Sequence, residues 1–298
     1  MGPALTVEVP TSDDDDDDNL TATSEGCGTS QPPNPLSEEM HQLIEKIRRN
    51  DAGGLLMSES RRKNLGVHGA RLLSEALKEN TTLDVLSLRD NNIGDEGAKA
   101  VSEALKQNTK LRVLLLDGNR IGAEGVRALS EALRENRTLK DLDLSYNNFG
   151  VAGAKLLSEE LRENGTLERI ALNGNNIGDE GAQALSEALV QNDGLLRIGL
   201  AENNIGNETA KALAHVLKHN RRLESINLCR NNIGNEGVRI LVDTIKESNG
   251  TVKCIALADN PSDDAALDHE LDELIKRNKD RKGPNRRKVI IEAEVIFR

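Results

Sequence analysis

Between residues 83 and 105 the apolar side chains follow two rhythms in succession. Leu83, Leu86 and Leu88 have the spacing of a short strand with one buried side, and Asn91, Asn92 and Gly94 punctuate its end. Ala98, Val101, Ala104 and Leu105 then recur three and four apart, with Lys99, Glu103 and Lys106 between them, which predicts an amphipathic helix. The pattern returns along the chain. Its first leucine recurs at Leu83, Leu111, Leu139, Leu167, Leu195, Leu223 and Val252, five steps of 28 residues and one of 29. The loop asparagine keeps the same period at Asn91, Asn119, Asn147, Asn175, Asn203, Asn231 and Asn260. A fixed period of this length marks a solenoid whose units pack on their neighbours. Short connections between identical strand-loop-helix units place the strands side by side and parallel, with the helices outside. The predicted fold class is therefore α/β, a solenoid with a parallel inner sheet and outer helices.

Residues 83–105 match L-x-x-L-x-L-x-x-N-x-I-x-x-x-G-x-x-x-L-x-x-x-L at nearly every fixed place. In this the chain resembles leucine-rich repeat proteins of the ribonuclease-inhibitor-like class and is similar to the repeat domains of NOD-like receptors, over roughly residues 52–278. The resemblance implies a horseshoe whose concave sheet grips a protein partner. It also implies that the asparagines Asn91, Asn119, Asn147, Asn175, Asn203, Asn231 and Asn260 point inward and bond the loop backbones of their own and adjacent turns. Ran-activating proteins share this repeat type and work through a loop arginine and asparagine. Arg120, which interrupts the second-asparagine column Asn92, Asn148, Asn176, Asn204 and Asn232, is the residue that such an activity requires. Those activators have irregular units and an acidic region after the repeats, whereas here the period is nearly uniform and the acids come first. Actin-capping tropomodulins are a weaker resemblance. No G-x-x-x-x-G-K-[ST] motif occurs, so the nucleotide-binding domain that often precedes such repeats in innate immune receptors is missing from this sequence.

The ends depart from the repeat as terminal units should. Residues 36–51 form an N-terminal cap helix, with Met40, Leu43, Ile44 and Ile47 on one face. The repeats occupy 52–261; the first is degenerate, with Leu55, Met57 and Glu59 in the strand and Lys63 in the asparagine column. A C-terminal cap helix at 262–278 carries Leu267, Leu271, Leu274 and Ile275, and 279–298 holds a basic linker and an alternating strand, VIIEAEVIFR.

Charge alters the picture at one end. Residues 1–35 contain eight acids and no Lys or Arg, which leaves the rest near −3 of a total of −11. Such a tail predicts disorder, with a basic protein as its possible partner and nucleic acid excluded by sign. An aromatic content of 1% suits layers filled by Leu, Ile, Val and Ala. No 18-residue apolar run and no signal-type leader are present, which predicts a cytoplasmic protein without a membrane contact.

Catalytic and metal chemistry find no foothold. Cys229 and Cys254 fall on neighbouring strands four places out of register, so free thiols are expected. His215 and His219 share the i, i+4 spacing of metal ligands without a third, and the mid-helix serines Ser74, Ser102, Ser130, Ser158 and Ser186 have no histidine in their column. No cofactor is implied. Asn80, Asn136, Asn164 and Asn249 recur in N-x-T triplets where a helix gives way to a strand, which predicts left-handed C-caps rather than glycosylation. Variation concentrates at the outward strand positions. There Val85, Val113 and Leu115 make an apolar cluster edged by Asp141 and Asp143, with Tyr146 at the rim; these six are the candidate partner-binding residues of a monomeric interaction module.

Overall fold

The computed structural model describes residues 38–51, 65–248 and 250–280. The acidic segment 1–35, the strand expected to hold Leu55, Met57 and Glu59 with Lys63 after it, and the basic linker and strand expected over 279–298 beyond Asp280 lie outside the described residues. Two helices, α1 (Glu38–Arg48) and α2 (Gly66–Glu79), precede a strict alternation. It runs β1 (Val85–Ser87), α3 (Gly94–Gln107), β2 (Val113–Leu115), α4 (Ala123–Glu135), β3 (Asp141–Asp143), α5 (Gly150–Leu161), β4 (Arg169–Ala171) and α6 (Gly178–Gln191). It closes with β5 (Arg197–Gly199), α7 (Asn207–His219), β6 (Ser225–Asn227), α8 (Asn235–Ser248), β7 (Cys254–Ala256) and α9 (Ala265–Asp280).

The seven strands form one parallel sheet in sequence order, in register with the repeat: Leu86 opposite Leu114, Leu142 opposite Ile170, Ile226 opposite Ile255. Each strand's inward residue and each helix's apolar stripe meet in one layer. Leu172, Ile177, Leu185 and Leu195 have no exposed surface. Burial of each such side chain contributes roughly 1.5–3 kcal/mol, and only because a neighbouring layer covers it. Where no layer follows among the described residues, the core opens: Ile255, Leu274 and Ile275 keep 7–9% of their surface.

Two polar ladders tie the layers together. On the loop side, the Nδ2 of Asn119 donates to Leu88 O, Leu116 O and Asp117 O, and its Oδ1 accepts the N–H groups of Asn91 and Ile93. The same links to the preceding unit run through Asn147, Asn175, Asn203, Asn231 and Asn260.

The second ladder overturns the left-handed reading of the helix-to-strand asparagines. Asn80 and Asn136 are extended, at φ −76° and −71°, because their side chains are otherwise engaged. In the unit between them, Asn108 Nδ2 donates to Leu77 O and Asn80 O at 2.7 and 2.9 Å, while its Oδ1 accepts from Lys110 N and Leu111 N. Asn164, Asn192 and Asn220 make equivalent bonds. An extended backbone aims the amide back across the unit boundary; a left-handed one, whose purpose is to close a helix on itself, has no need of it. Asn249 lies outside the described residues.

Several helices are capped by the unit before. Asp179 Oδ1, from the first turn of α6, accepts the N–H groups of Gly206 and Thr209 and the Thr209 hydroxyl, at 2.8, 3.1 and 2.6 Å. Asp95 Oδ1 likewise accepts the N–H groups of Gly122 and Gly125 at the start of α4. Replacing Asp179 by Ala strips these donors, and urea unfolding is expected to show a loss of about 1–2 kcal/mol. An unchanged midpoint would mean that water satisfies the start of α7 equally well.

Candidate functional site

The outward side chains of the strands form rows across the sheet. Row one runs Val85, Val113, Asp141, Arg169, Arg197, Ser225, Cys254, and row two runs Ser87, Leu115, Asp143, Ala171, Gly199, Asn227, Ala256. Val113 therefore neighbours Val85 and Asp141, and Leu115 neighbours Asp143. Five of the six candidates thus meet in one patch. Tyr146 does not join it; it stands on the loop edge, where its hydroxyl donates to Glu202 Oε1 at 3.1 Å.

The patch is less open than the pattern of types suggests. Leu115, Asp141 and Asp143 are only 3–4% exposed, and Val113 is 8%. Both acids are already engaged. Asp141 is held in a two-pronged ion pair by Arg169. Asp143 accepts the N–H of Ser145 at 2.9 Å and an Arg89 Nη2 contact at 3.3 Å, while Arg89 Nε lies 2.7 Å from Asp117 Oδ1. One guanidinium thus serves two carboxylates. Burial, and then the charge of Asp143, push the Asp117 carboxyl up to about 6; burial also raises Asp143, against its bonds to Ser145 and Arg89.

From Ala171 onward the face changes character. Ala171, Gly199, Ala201 and Ser225 are small, and Asn173 spreads over Gly199, with its Oδ1 accepting from Ala201 N. Arg197 is exposed and makes no ion pair among the described residues, unlike Arg169 beside it. Reading down single units missed Arg89, Asp117 and Arg197 as a set. The signal was available across units: Arg89 and Asp117 stand one repeat apart, as do Asp141 and Arg169.

Tyr146 is 54% exposed and the one large apolar side chain left open among the described residues. Its backbone is left-handed, φ 52°, as are Asp90, Glu202, Arg230 and Asp259 in the same column; Gly118 and Gly174 meet that demand without a side chain. The ring lies over Gly174, where a Cβ would come within 2.5 Å of it. Glu202 in turn accepts from Arg230, which also reaches Asp259.

His215 and His219 lie on the exposed side of α7 with ring centroids 4.3 Å apart. Among the described residues no group of three or more His, Cys, Asp or Glu could hold a metal ion. Cys229 and Cys254 are free thiols, as their register requires. No helix of the described residues is long and apolar enough to cross a membrane.

Comparison with known proteins agrees with this architecture. Residues 37–153 match the family model described as the TMOD/LMOD leucine-rich domain, and residues 163–186 and 219–241 match one described as a leucine-rich repeat. The chain is a leucine-rich repeat protein. Its 28-residue units, each a strand and a helix, place this leucine-rich repeat protein in the ribonuclease-inhibitor-like class. No match was found among curated proteins. Among solved structures it is similar to a leiomodin-1 fragment described as actin-binding site 2, at 20% identity and TM-score 0.46, covering 51% of this chain and 87% of that one. It is similar to a Caenorhabditis elegans tropomodulin C-terminal domain, at 13% identity and TM-score 0.38, covering 82% and 95%. A third similarity is to the protein of a TLR13–ssRNA13 complex, at 20% identity and TM-score 0.39, covering 65% of this chain and 24% of that one.

Proposed function

We propose that this leucine-rich repeat protein is a non-enzymatic interaction module that takes a protein partner on the open face of its sheet. The observation that carries this reading is the contrast between the two faces: inward positions repeat Leu or Ile in every unit, while outward positions range from Val and Leu through Asp and Arg to Ala, Gly, Ser and Asn along the sheet. A framework that varies only where it is not packed is suited to recognition. Val85, Val113, Leu115, Asp141 and Asp143 form the closed, prearranged flank of that surface, and Arg197 with its small neighbours forms the part with unspent valence. A partner that presents an acidic side chain to Arg197 and bulk to the Ala171–Gly199 trough fits best, with Tyr146 as a separate aromatic foothold.

The test begins with affinity purification and mass spectrometry and ends with binding measured on the recovered partner. Arg197→Glu should weaken it more than about tenfold without moving the melting curve, since an exposed cation contributes little to the fold. If Glu103→Lys on the outer helix face is the damaging change instead, the reading fails. As part of the same proposal, Arg120 serves no GTPase: hydrolysis by a Ran-type GTPase should stay at its intrinsic rate when the protein is added.

A second reading, actin binding, is favoured by the match of residues 37–153 to the tropomodulin and leiomodin leucine-rich domain. Co-sedimentation with actin filaments and an actin polymerisation assay would decide it, and absence of both effects would sink it.

A further inference from the structure

In six consecutive units two backbone donors point to the following strand. Leu88, Leu116, Leu144, Leu172, Leu200 and Leu228 each donate N–H to a carbonyl of the next strand, at 2.8–2.9 Å. Two residues further on, Asp90, Gly118, Tyr146, Gly174, Glu202 and Arg230 donate to a carbonyl just past the end of the next strand, at 2.7–3.0 Å. Their counterparts in the last unit are Leu257 and Asp259, and no described strand stands beyond β7 to receive them. The side chain tells the same story. Leu257 is partly open, whereas the six leucines in its column are at most 1% exposed. An uncovered sheet edge beside an uncovered apolar layer is a docking surface for one more strand.

We propose that residues 289–297 of this chain supply that strand, in parallel with β7. Three observations select this occupant over a foreign one. First, α9 returns the chain to the end of the sheet at which every strand begins, so a strand that follows it arrives parallel, as all the others do. Second, the reach is sufficient. Inner units make the return with residues 108–112 alone, and residues 281–288 span up to about 26 Å here. Third, Val289, Ile291, Ala293, Val295 and Phe297 alternate with Ile290, Glu292, Glu294 and Ile296, which gives a wholly apolar side for Leu257 and a side that carries both acids, between two isoleucines, for solvent. Docked in this way, the segment's carbonyls accept the N–H groups of Leu257 and Asp259, and its apolar side covers the layer that holds Ile255 and Leu274.

Hydrogen exchange on the full chain, read by NMR, tests this. The amides of Leu257 and Asp259 should be protected to a degree comparable with those of Leu228 and Arg230, at protein concentrations where light scattering shows a monomer. Ile291→Asp with Val295→Asp should speed exchange at Leu257 and Asp259 roughly a hundredfold or more and leave Leu172 and Gly174 unchanged. The idea is overturned if Leu257 and Asp259 exchange in the full chain as fast as exposed loop amides, or if the double substitution leaves them protected. It is equally overturned if protection appears only as the protein dimerises, since a second copy then covers β7.

Discussion

Replacing Arg89 by Met is expected to cost about 3–5 kcal/mol of unfolding free energy at pH 8 and far less at pH 5. The guanidinium is the one cation shared by Asp117 and Asp143, the first half-buried and the second buried on the open face of the sheet. Methionine keeps much of the volume, so the loss reports charge rather than packing. The sign of the pH dependence follows from Asp117. Its carboxyl sits at about 6 in the folded protein, above the 3.8 of an open chain, so the folded state holds its proton more tightly. Ionised Asp117 therefore destabilises the fold above pH 6. Stability is regained as pH falls through about 6 towards 4, by on the order of 1 kcal/mol in the wild type once solvent screening is discounted. Without Arg89 the penalty for ionising both acids grows, and acidification should rescue the variant. Guanidinium melts at the two pH values decide it. A loss below about 1 kcal/mol, or one that does not depend on pH, would show that water already solvates the acids.

Asn175→Ala should cost about 1–3 kcal/mol, the penalty for orphaning buried backbone groups. The amide donates to Leu144 O, Leu172 O and Asn173 O, at 2.9 to 3.1 Å, and accepts from Asn147 N at 3.0 Å. A fair control is Asn148→Ala, on an exposed residue outside the left-handed region, expected within about 0.5 kcal/mol. Asn176, the next residue outward from Asn175, is a poorer control than its exposure suggests. Its φ of 60° makes alanine cost about 1 kcal/mol through the backbone alone. Equal losses at Asn175 and Asn148 in urea melts would show that the inward asparagine is dispensable.

The architecture was legible in the sequence because periodicity is a one-dimensional property, and a solenoid writes its packing along the chain. Which side chains meet across units was not, since that requires reading columns rather than runs. The second ladder shows the difference. A search for N-x-T picks out Asn80, Asn136 and Asn164 by the threonine two residues on. It passes over Asn192 and Asn220, followed by Gly194 and Arg222, although these residues make the same bonds. Likewise, glycine at 118 and 174 marks a left-handed column, and Tyr146 between them inherits its backbone angle. The candidate patch was found by residue type, but its degree of closure depends on Arg89 and Arg169 reaching sideways, which no local pattern encodes. An exposed valine in a strand and a covered one spell the same letter.

The ladders also have a direction. Asn119 reaches back to Leu88 and Asn108 back to Leu77 and Asn80, so beside the bonds a unit makes to its own carbonyls it takes further ones from asparagines that come 28–31 residues later. On the ribosome this sets an order of events. A unit that has fully emerged still lacks its fastenings until the next has followed it out of the tunnel, so folding during synthesis trails the growing chain by one repeat.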